Sequence, residues 1–114
     1  MESIQSIHEE ALICAKNYKR AESALLEILQ KVDGRKVFRE LGFPSLFAYA
    51  VSALKLSESR AYQFIGVARK SVEVPELKEA VRQGSINVST ARRIVSVITP
   101  ENQEAWIKKA TDLP

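Results

Sequence analysis

A stripe of apolar and small side chains recurs through the first 32 residues at alternating steps of three and four. Its members are Ile4, Ile7, Ala11, Cys14, Tyr18, Ala21, Leu25, Ile28 and Val32. This is the a and d spacing of a heptad repeat, held over about four heptads, and it predicts one long amphipathic helix. Ser3 is suited to cap the start of that helix, and Asp33-Gly34 is suited to end it.

The predicted helix is too long to pack entirely on one small domain. About 29 residues span ~44 Å at 1.5 Å per residue, which exceeds the diameter of a domain of this size. We expect residues 1–34 to divide, with Ala24 to Val32 packing on the remainder of the chain and the first half forming a homodimer with the same helix of another copy. The expected dimer contacts are Ile4, Ile7, Ala11, Cys14 and Tyr18. The alternative is that the helix bends near Asn17 and folds back on its own domain.

Residues 35–114 predict a succession of short helices, because apolar residues recur at helical spacing between caps, prolines and glycines. The expected spans are Arg35 to Leu41, Ser45 to Leu54, Glu58 to about Ser71, Pro75 to Gln83, Thr90 to Ile98, and Pro100 to about Thr111. No stretch alternates in the manner of a strand or contains a hairpin turn. The predicted fold class is therefore all-α, a long N-terminal helix followed by a compact bundle of about six short helices.

Two of these helices have the spacing of a helix-turn-helix, which we place at residues 46–70. Phe47 to Gly66 reads FAYAVSALKLSESRAYQFIG, two short helical patterns joined at Lys55-Leu56-Ser57. The apolar positions of such a motif are filled by Ala50, Leu54, Leu56, Ala61, Phe64 and Ile65. Lys55 stands where Gly normally takes a left-handed turn, which costs ~1 kcal/mol or forces a different turn. The alternative is an ordinary αα-hairpin of a helical bundle.

The outer face of the second helix carries side chains that suit nucleic-acid binding. Arg60 and Gln63 lie about one turn apart, so both are expected to meet adjacent bases. Charged side chains near the C-terminal end of this helix are expected to reach phosphates. The predicted DNA-binding residues are Lys55, Ser59, Arg60, Gln63, Arg69, Lys70 and Arg93. Ser57 is suited to cap this helix.

The charge of the chain is concentrated where this motif lies. Residues 35–98 carry eleven basic and five acidic side chains, a net charge of +6, whereas residues 1–34 have −2 and residues 99–114 have −1. A positive segment that coincides with a helix-turn-helix favours a polyanionic partner such as DNA. The alternative is a solvated helical surface with no such role.

The segment after the motif strengthens this interpretation through a resemblance. Val74 to Val97 reads VPELKEAVRQGSINVSTARRIVSV, with Pro75 in the first turn of a helix, Gly84 just past its end and Ser89 expected to cap the next helix. Together with residues 57–70 it resembles the central DNA-binding domain of ParB-type partition proteins. The matching positions are Pro75, Leu77, Gly84, Ile86, Ala91 and Arg92. The resemblance implies that the helix of Ala91-Arg92 packs behind the second helix of the helix-turn-helix. Arg92 is therefore expected to be structural and Arg93 to contact DNA.

A wider frame, LGFPSLFAYAVSALKLSESRAYQFIGVARK, is similar to the N-terminal helical domain of bacterial HNH-endonuclease-like proteins, over roughly residues 25–110. In such proteins the His-Asn-His metal site lies further along the chain. The resemblance therefore implies that this chain is the DNA-targeting part of a longer protein. The rival class is a protein-interaction module, in which the long helix dimerises and the helix-turn-helix is only scaffold.

Residue usage excludes several other classes. His8 and Cys14 are single, so one chain can build neither a disulfide nor a zinc site from them. No acid/base pair, metal cluster or phosphate-binding loop is visible, so we expect no enzyme, cofactor or small-molecule ligand in this chain. No apolar run approaches ~20 residues and no signal peptide is apparent. The expected location is the bacterial cytoplasm, in association with the nucleoid if the chain binds DNA.

Overall fold

A computed structural model describes residues 1–113, which form helices and turns without a strand. The helices are α1 (Ile4–Gly34), α2 (Val37–Glu40), α3 (Leu46–Ser52), α4 (Glu58–Glu73), α5 (Pro75–Arg82), α6 (Val88–Arg93) and α7 (Gln103–Thr111). The predicted all-α class, with a long first helix followed by short ones, is confirmed. Although α1 has 31 residues, neither it nor another helix of the described chain is long and apolar enough to cross a membrane.

The first helix begins and continues as its caps predict. The Ser3 hydroxyl accepts a hydrogen bond from the backbone N–H of Ser6 at 3.0 Å. The helix runs without interruption through Asn17 to Gly34. The predicted alternative of a bend near Asn17 is therefore wrong. All residues from Met1 to Ala21 are exposed, so the first half of α1 projects from the rest of the molecule.

The second half of α1 packs on the remaining helices as predicted, but on a shifted set of positions. Leu26, Leu29 and Val32 are buried, whereas Ile28, a predicted member of the stripe, is 49% exposed. The physical reason is that a straight α-helix has 3.6 residues per turn and drifts about 20° per heptad from a 3.5-residue repeat. After three heptads the side of α1 that faces the core has moved by more than half a residue.

Helix α4 is the centre of the bundle and contacts α1, α3, α5 and α6. Its buried residues are Ala61, Phe64, Ile65, Val67, Ala68 and Ser71. Leu26 and Leu29 of α1, Ala50 of α3 and Leu77 of α5 are fully buried in the same core. The apolar positions predicted for the α3–α4 pair are confirmed, since four are buried and Leu54 and Leu56 pack against the core.

The second half of α1 runs roughly parallel to α4. Glu22 contacts Arg60 near the start of α4. Eight residues further along each helix, the Gln30 side-chain amide donates to the carbonyl of Ala68 at 3.1 Å. Because these contacts advance along both helices in the same direction, α1 supports α4 over most of its length.

Three of the short helices begin two or more residues away from their predicted starts. α2 begins at Val37 rather than Arg35. α6 begins at Val88 because the Asn87 side chain accepts a hydrogen bond from the N–H of Thr90 at 2.7 Å, so the prediction of Ser89 as its cap is wrong. α7 begins at Gln103 rather than Pro100. The Asn102 side chain accepts from the N–H of Thr99 at 2.6 Å and donates to the carbonyl of Val97 at 2.9 Å. These bonds close a turn around Pro100 and delay the helix.

Candidate nucleic-acid interface

The turn between α3 and α4 has a left-handed residue at the position where glycine is usual, so Lys55 does not force a different turn. Lys55 has φ 61°, and it is exposed. The backbone N–H of Leu56 donates to the carbonyl of Ala50 at 3.1 Å, which ties the turn to α3. The Ser57 hydroxyl then accepts from the N–H of Arg60 at 3.1 Å and caps α4, as predicted. A lysine therefore occupies a conformation that costs a non-glycine residue about 1 kcal/mol.

One face of α4 is largely exposed, with the Arg92 side chain of α6 across its middle. We call it the α4 outer face, and it consists of Glu58, Ser59, Tyr62, Gly66, Arg69 and Glu73. Gly66 is half-buried and the other five residues are exposed. The predicted site residues Ser59 and Arg69 lie on this face.

Arg92 of α6 reaches across the α4 outer face. Its guanidinium carbon lies 4.5 Å from the centroid of the Tyr62 ring, and its Nη2 donates to the Tyr62 hydroxyl at 2.6 Å. A Cβ on Gly66 would lie 2.8 Å from both Cδ and Nε of Arg92. Only the missing side chain of Gly66 therefore lets Arg92 lie so close to α4.

The partner of Arg92 is the Tyr62 side chain rather than a carboxylate or a carbonyl. The side chain is half-buried, and its Nε has no hydrogen-bond partner within residues 1–113. Sequence reasoning missed Tyr62 as a site residue. Its position three residues after Ser59 and four before Gly66 was the available signal, since that spacing places all three on one side of a helix.

Arg60 and Gln63 do not lie on the α4 outer face, and their predicted placement there is wrong. Arg60 Nη1 donates to Gln63 Oε1 at 2.8 Å, and Nη2 donates to Glu22 Oε2 of α1 at 3.1 Å. The Arg60 guanidinium also lies 5.0 Å from the centroid of the Phe64 ring. Both side chains are half-buried on the side of α4 that faces α1. Their role in binding bases stays a prediction.

Arg69 and Lys70 are each paired with a carboxylate. Arg69 donates from Nε and Nη2 to the two carboxylate oxygens of Asp33, at 3.1 and 3.2 Å. The hydrogen bond to Asp33 raises the pKa of Arg69 above its ordinary value. Lys70 Nζ lies 3.1 Å from Glu73 Oε2. A phosphate would have to compete with these carboxylates for both cations.

Lys55 and Arg93 are the predicted cations that lack such partners. Among residues 1–113, no carboxylate lies within ion-pair distance of Lys55, Arg92 or Arg93. Lys55 immediately precedes α4, and Arg93 is exposed beside Arg92, whose side chain touches Tyr62. Unpaired positive charge therefore lies on the α4 outer face at Arg92 and immediately before α4 at Lys55, and Arg93 adjoins Arg92 in the chain.

No cluster of three or more His, Cys, Asp or Glu side chains that could hold a metal ion occurs within residues 1–113. Comparisons with protein-family models, curated proteins and solved structures found no match. Function is therefore inferred from the geometry and charge of the described residues.

Proposed function

We propose that this chain is a DNA-binding domain in which α3 and α4 form a helix-turn-helix. The observation that carries the proposal is that three cations without carboxylate partners lie at or near a largely exposed face of a capped helix: Arg92 on that face, Lys55 just before the helix, and Arg93 next to Arg92 in the chain. Unpaired cations around one helix face favour a polyanion, because an internal ion pair need not be broken first. An exposed helix face of this length fits the major groove.

Each element of the interface has a distinct task in this proposal. Lys55 and Arg93 contact phosphates and fix the position of the domain on the duplex. The Ser59 and Tyr62 hydroxyls on the α4 outer face contact base edges or phosphates. Arg92 has donors beyond the one used on Tyr62, and these remain for DNA. Delivery of a nuclease domain to DNA, as the sequence resemblance implies, stays a prediction.

The proposal is tested by measuring affinity for a random-sequence duplex over a series of salt concentrations. Neutralisation of one phosphate each by Lys55, Arg92 and Arg93 predicts a slope of about −2.7 in the logarithm of the association constant against the logarithm of salt concentration, since each contributes about −0.9. Absence of binding at low salt would contradict the proposal.

A matched pair of variants locates the interface. Lys36 also has a left-handed backbone, with φ 55°. Lys55→Gly and Lys36→Gly therefore remove the same charge and relieve the same kind of strain. We expect Lys55→Gly to reduce the steepness of the salt slope by about one, and Lys36→Gly, outside the α4 outer face, to leave it unchanged. Equal effects of the two substitutions would show that binding follows net charge rather than this face.

A second candidate function, protein interaction through α1, is favoured by the projecting half of that helix. Ile4 is 88% exposed and Tyr18 is 64% exposed. Apolar side chains of this size on an uncovered helix are typical of an interaction surface. If this function is the only one, the α3–α4 pair serves as scaffold, and no duplex binds in the salt series.

A further inference from the structure

The projecting half of α1 carries an apolar stripe that nothing in the described chain covers. The stripe consists of Ile4, Ile7, Ala11, Cys14, Tyr18 and Ala21, all exposed. We call it the projecting stripe. The opposite side of the same segment carries Glu9, Lys16 and Arg20 close together in helical projection, and the exposed Ile13 lies there as well. The segment is therefore amphipathic without a partner.

The projecting stripe lies on the same side of α1 as the helical bundle. Steps of four, three, four and three residues lead from Tyr18 to Glu22, Leu25, Leu29 and Val32. Glu22, Leu29 and Val32 are buried against the bundle and Leu25 is half-buried. Because residues at this spacing share one helix side, the bundle stands next to the end of the projecting stripe.

This placement decides which orientation a paired helix can take. A parallel partner helix in register would follow the stripe past Ala21 and enter the space that the bundle fills. In an antiparallel pair, the N-terminus of the partner helix lies next to the bundle when the two stripes cover each other fully. The partner helix therefore ends before the space that the bundle fills. Its bundle then lies beyond the other end of the segment.

We propose that the chain forms a two-fold homodimer through antiparallel pairing of the projecting stripes. Antiparallel helices pack a positions against d positions, and one register pairs all six members of the stripe at once. In it Ile4 meets the partner's Ala21, Ile7 meets the partner's Tyr18, and Ala11 meets the partner's Cys14. About 18 residues of each helix overlap, over ~27 Å at 1.5 Å per residue.

The charges of the segment favour a second copy in this orientation. Acidic side chains occupy its first part, at Glu2, Glu9 and Glu10, and basic ones its second part, at Lys16, Lys19 and Arg20. Glu9, Lys16 and Arg20 lie on the side away from the stripe, so they form no ion pairs across it. At longer range, antiparallel pairing sets the acidic end of one helix near the basic end of the other, whereas parallel pairing sets like ends together. The inference does not depend on DNA binding, since the α4 outer face takes no part in it.

The mass of the full-length chain in solution tests the pairing. We expect sedimentation equilibrium at rising micromolar concentrations to give the mass of a dimer. Ile7→Glu should give a monomer with an unchanged circular dichroism spectrum. Ile13→Glu is the matched control, because Ile13 is 60% exposed on the opposite side of the same segment. A monomeric native chain at every concentration, or equal effects of the two substitutions, would overturn the proposal.

Disulfide formation tests the orientation. Mild oxidation should cross-link an Ala11→Cys variant rapidly, because the introduced thiol faces the partner's Cys14. The native chain should cross-link slowly, because its two Cys14 side chains lie in different layers of the antiparallel pair. Equally rapid cross-linking of the native chain would establish parallel pairing and overturn the proposed orientation.

Discussion

A single buried carboxylate joins three helices of this molecule. Glu22 of α1 is 8% exposed. Its Oε1 accepts from the backbone N–H of Val88 at 2.6 Å, and its Oε2 accepts from Arg60 Nη2 at 3.1 Å. The first of these bonds satisfies a donor at the start of α6, and the second anchors α4. Glu22 thus positions the two helices that carry the proposed DNA-binding residues.

We expect Glu22→Ala to lower the free energy of unfolding by about 1–3 kcal/mol, since it leaves the buried Val88 N–H without an acceptor. Urea denaturation measures this change. Glu27→Ala is the control, because Glu27 is an exposed residue of the same helix and should change stability by less than about 0.5 kcal/mol. Equal losses for the two variants would show that the Glu22 contacts contribute nothing specific.

The close approach of Gly66 and Arg92 predicts an energetic coupling between them. Gly66→Ala gains roughly 1 kcal/mol of helix propensity but places a methyl group where the Arg92 side chain lies. In an Arg92→Ala background that obstacle is gone, so we expect Gly66→Ala to stabilise the protein by about 1 kcal/mol there, and by much less in the native background. Denaturation of the four proteins of this cycle measures the coupling. Additive effects would contradict the observed contact.

At the scale of elements, the cap of α6 is a place where the local sequence pattern and the structure disagree. The pattern favoured Ser89, whereas the structure uses Asn87. We expect Asn87→Ala to cost about 1 kcal/mol of stability, because the N–H of Thr90 loses its acceptor. Ser89→Ala should change stability by less than about 0.5 kcal/mol, since Ser89 is exposed beyond the cap. Thermal unfolding of the two variants compares the sites. A larger loss of stability from Ser89→Ala than from Asn87→Ala would show that Ser89, the residue that the sequence favoured, is the cap.

The elements that sequence predicts well are those set by local chemistry. Ser3 and Ser57 cap their helices as expected, and Lys55 adopts the strained left-handed conformation, one of the two outcomes that the spacing left open. Asn87 and Ser89 are both good caps. The choice between them involves Glu22, whose carboxylate accepts a hydrogen bond from the N–H of Val88, 66 residues further along the chain. A local pattern contains no information about such a partner.

In the candidate site, too, sequence predicts the features that depend on local spacing and not those that depend on distant residues. Sequence located α4 and its apolar side, because the period of a helix fixes which positions are buried. It did not predict that Arg60 bonds to Glu22, 38 residues away, or that Arg69 bonds to Asp33, 36 residues away. The helical period therefore predicts which charged residues lie near the face. Only the tertiary contacts show which of these cations are paired with a carboxylate.

At the scale of the whole molecule, the length of α1 determines the shape. The radius of gyration is 16.1 Å, whereas a compact chain of this length would have about 13 Å. The excess agrees with a projecting first half of α1, and the arithmetic of helix length predicted that projection from sequence. The side of α1 on which the bundle stands, which sets the orientation of a partner, required the structure.

The central claim is that the α4 outer face and its bordering cations bind DNA. The most direct test is to follow the backbone amide resonances of the isotope-labelled chain while a duplex is added at low salt. We expect the largest shifts at Lys55, Ser59, Tyr62, Gly66 and Arg93, and small shifts along residues 4–21. Shifts that are absent, or that concentrate in residues 4–21 instead, would contradict DNA binding by this face.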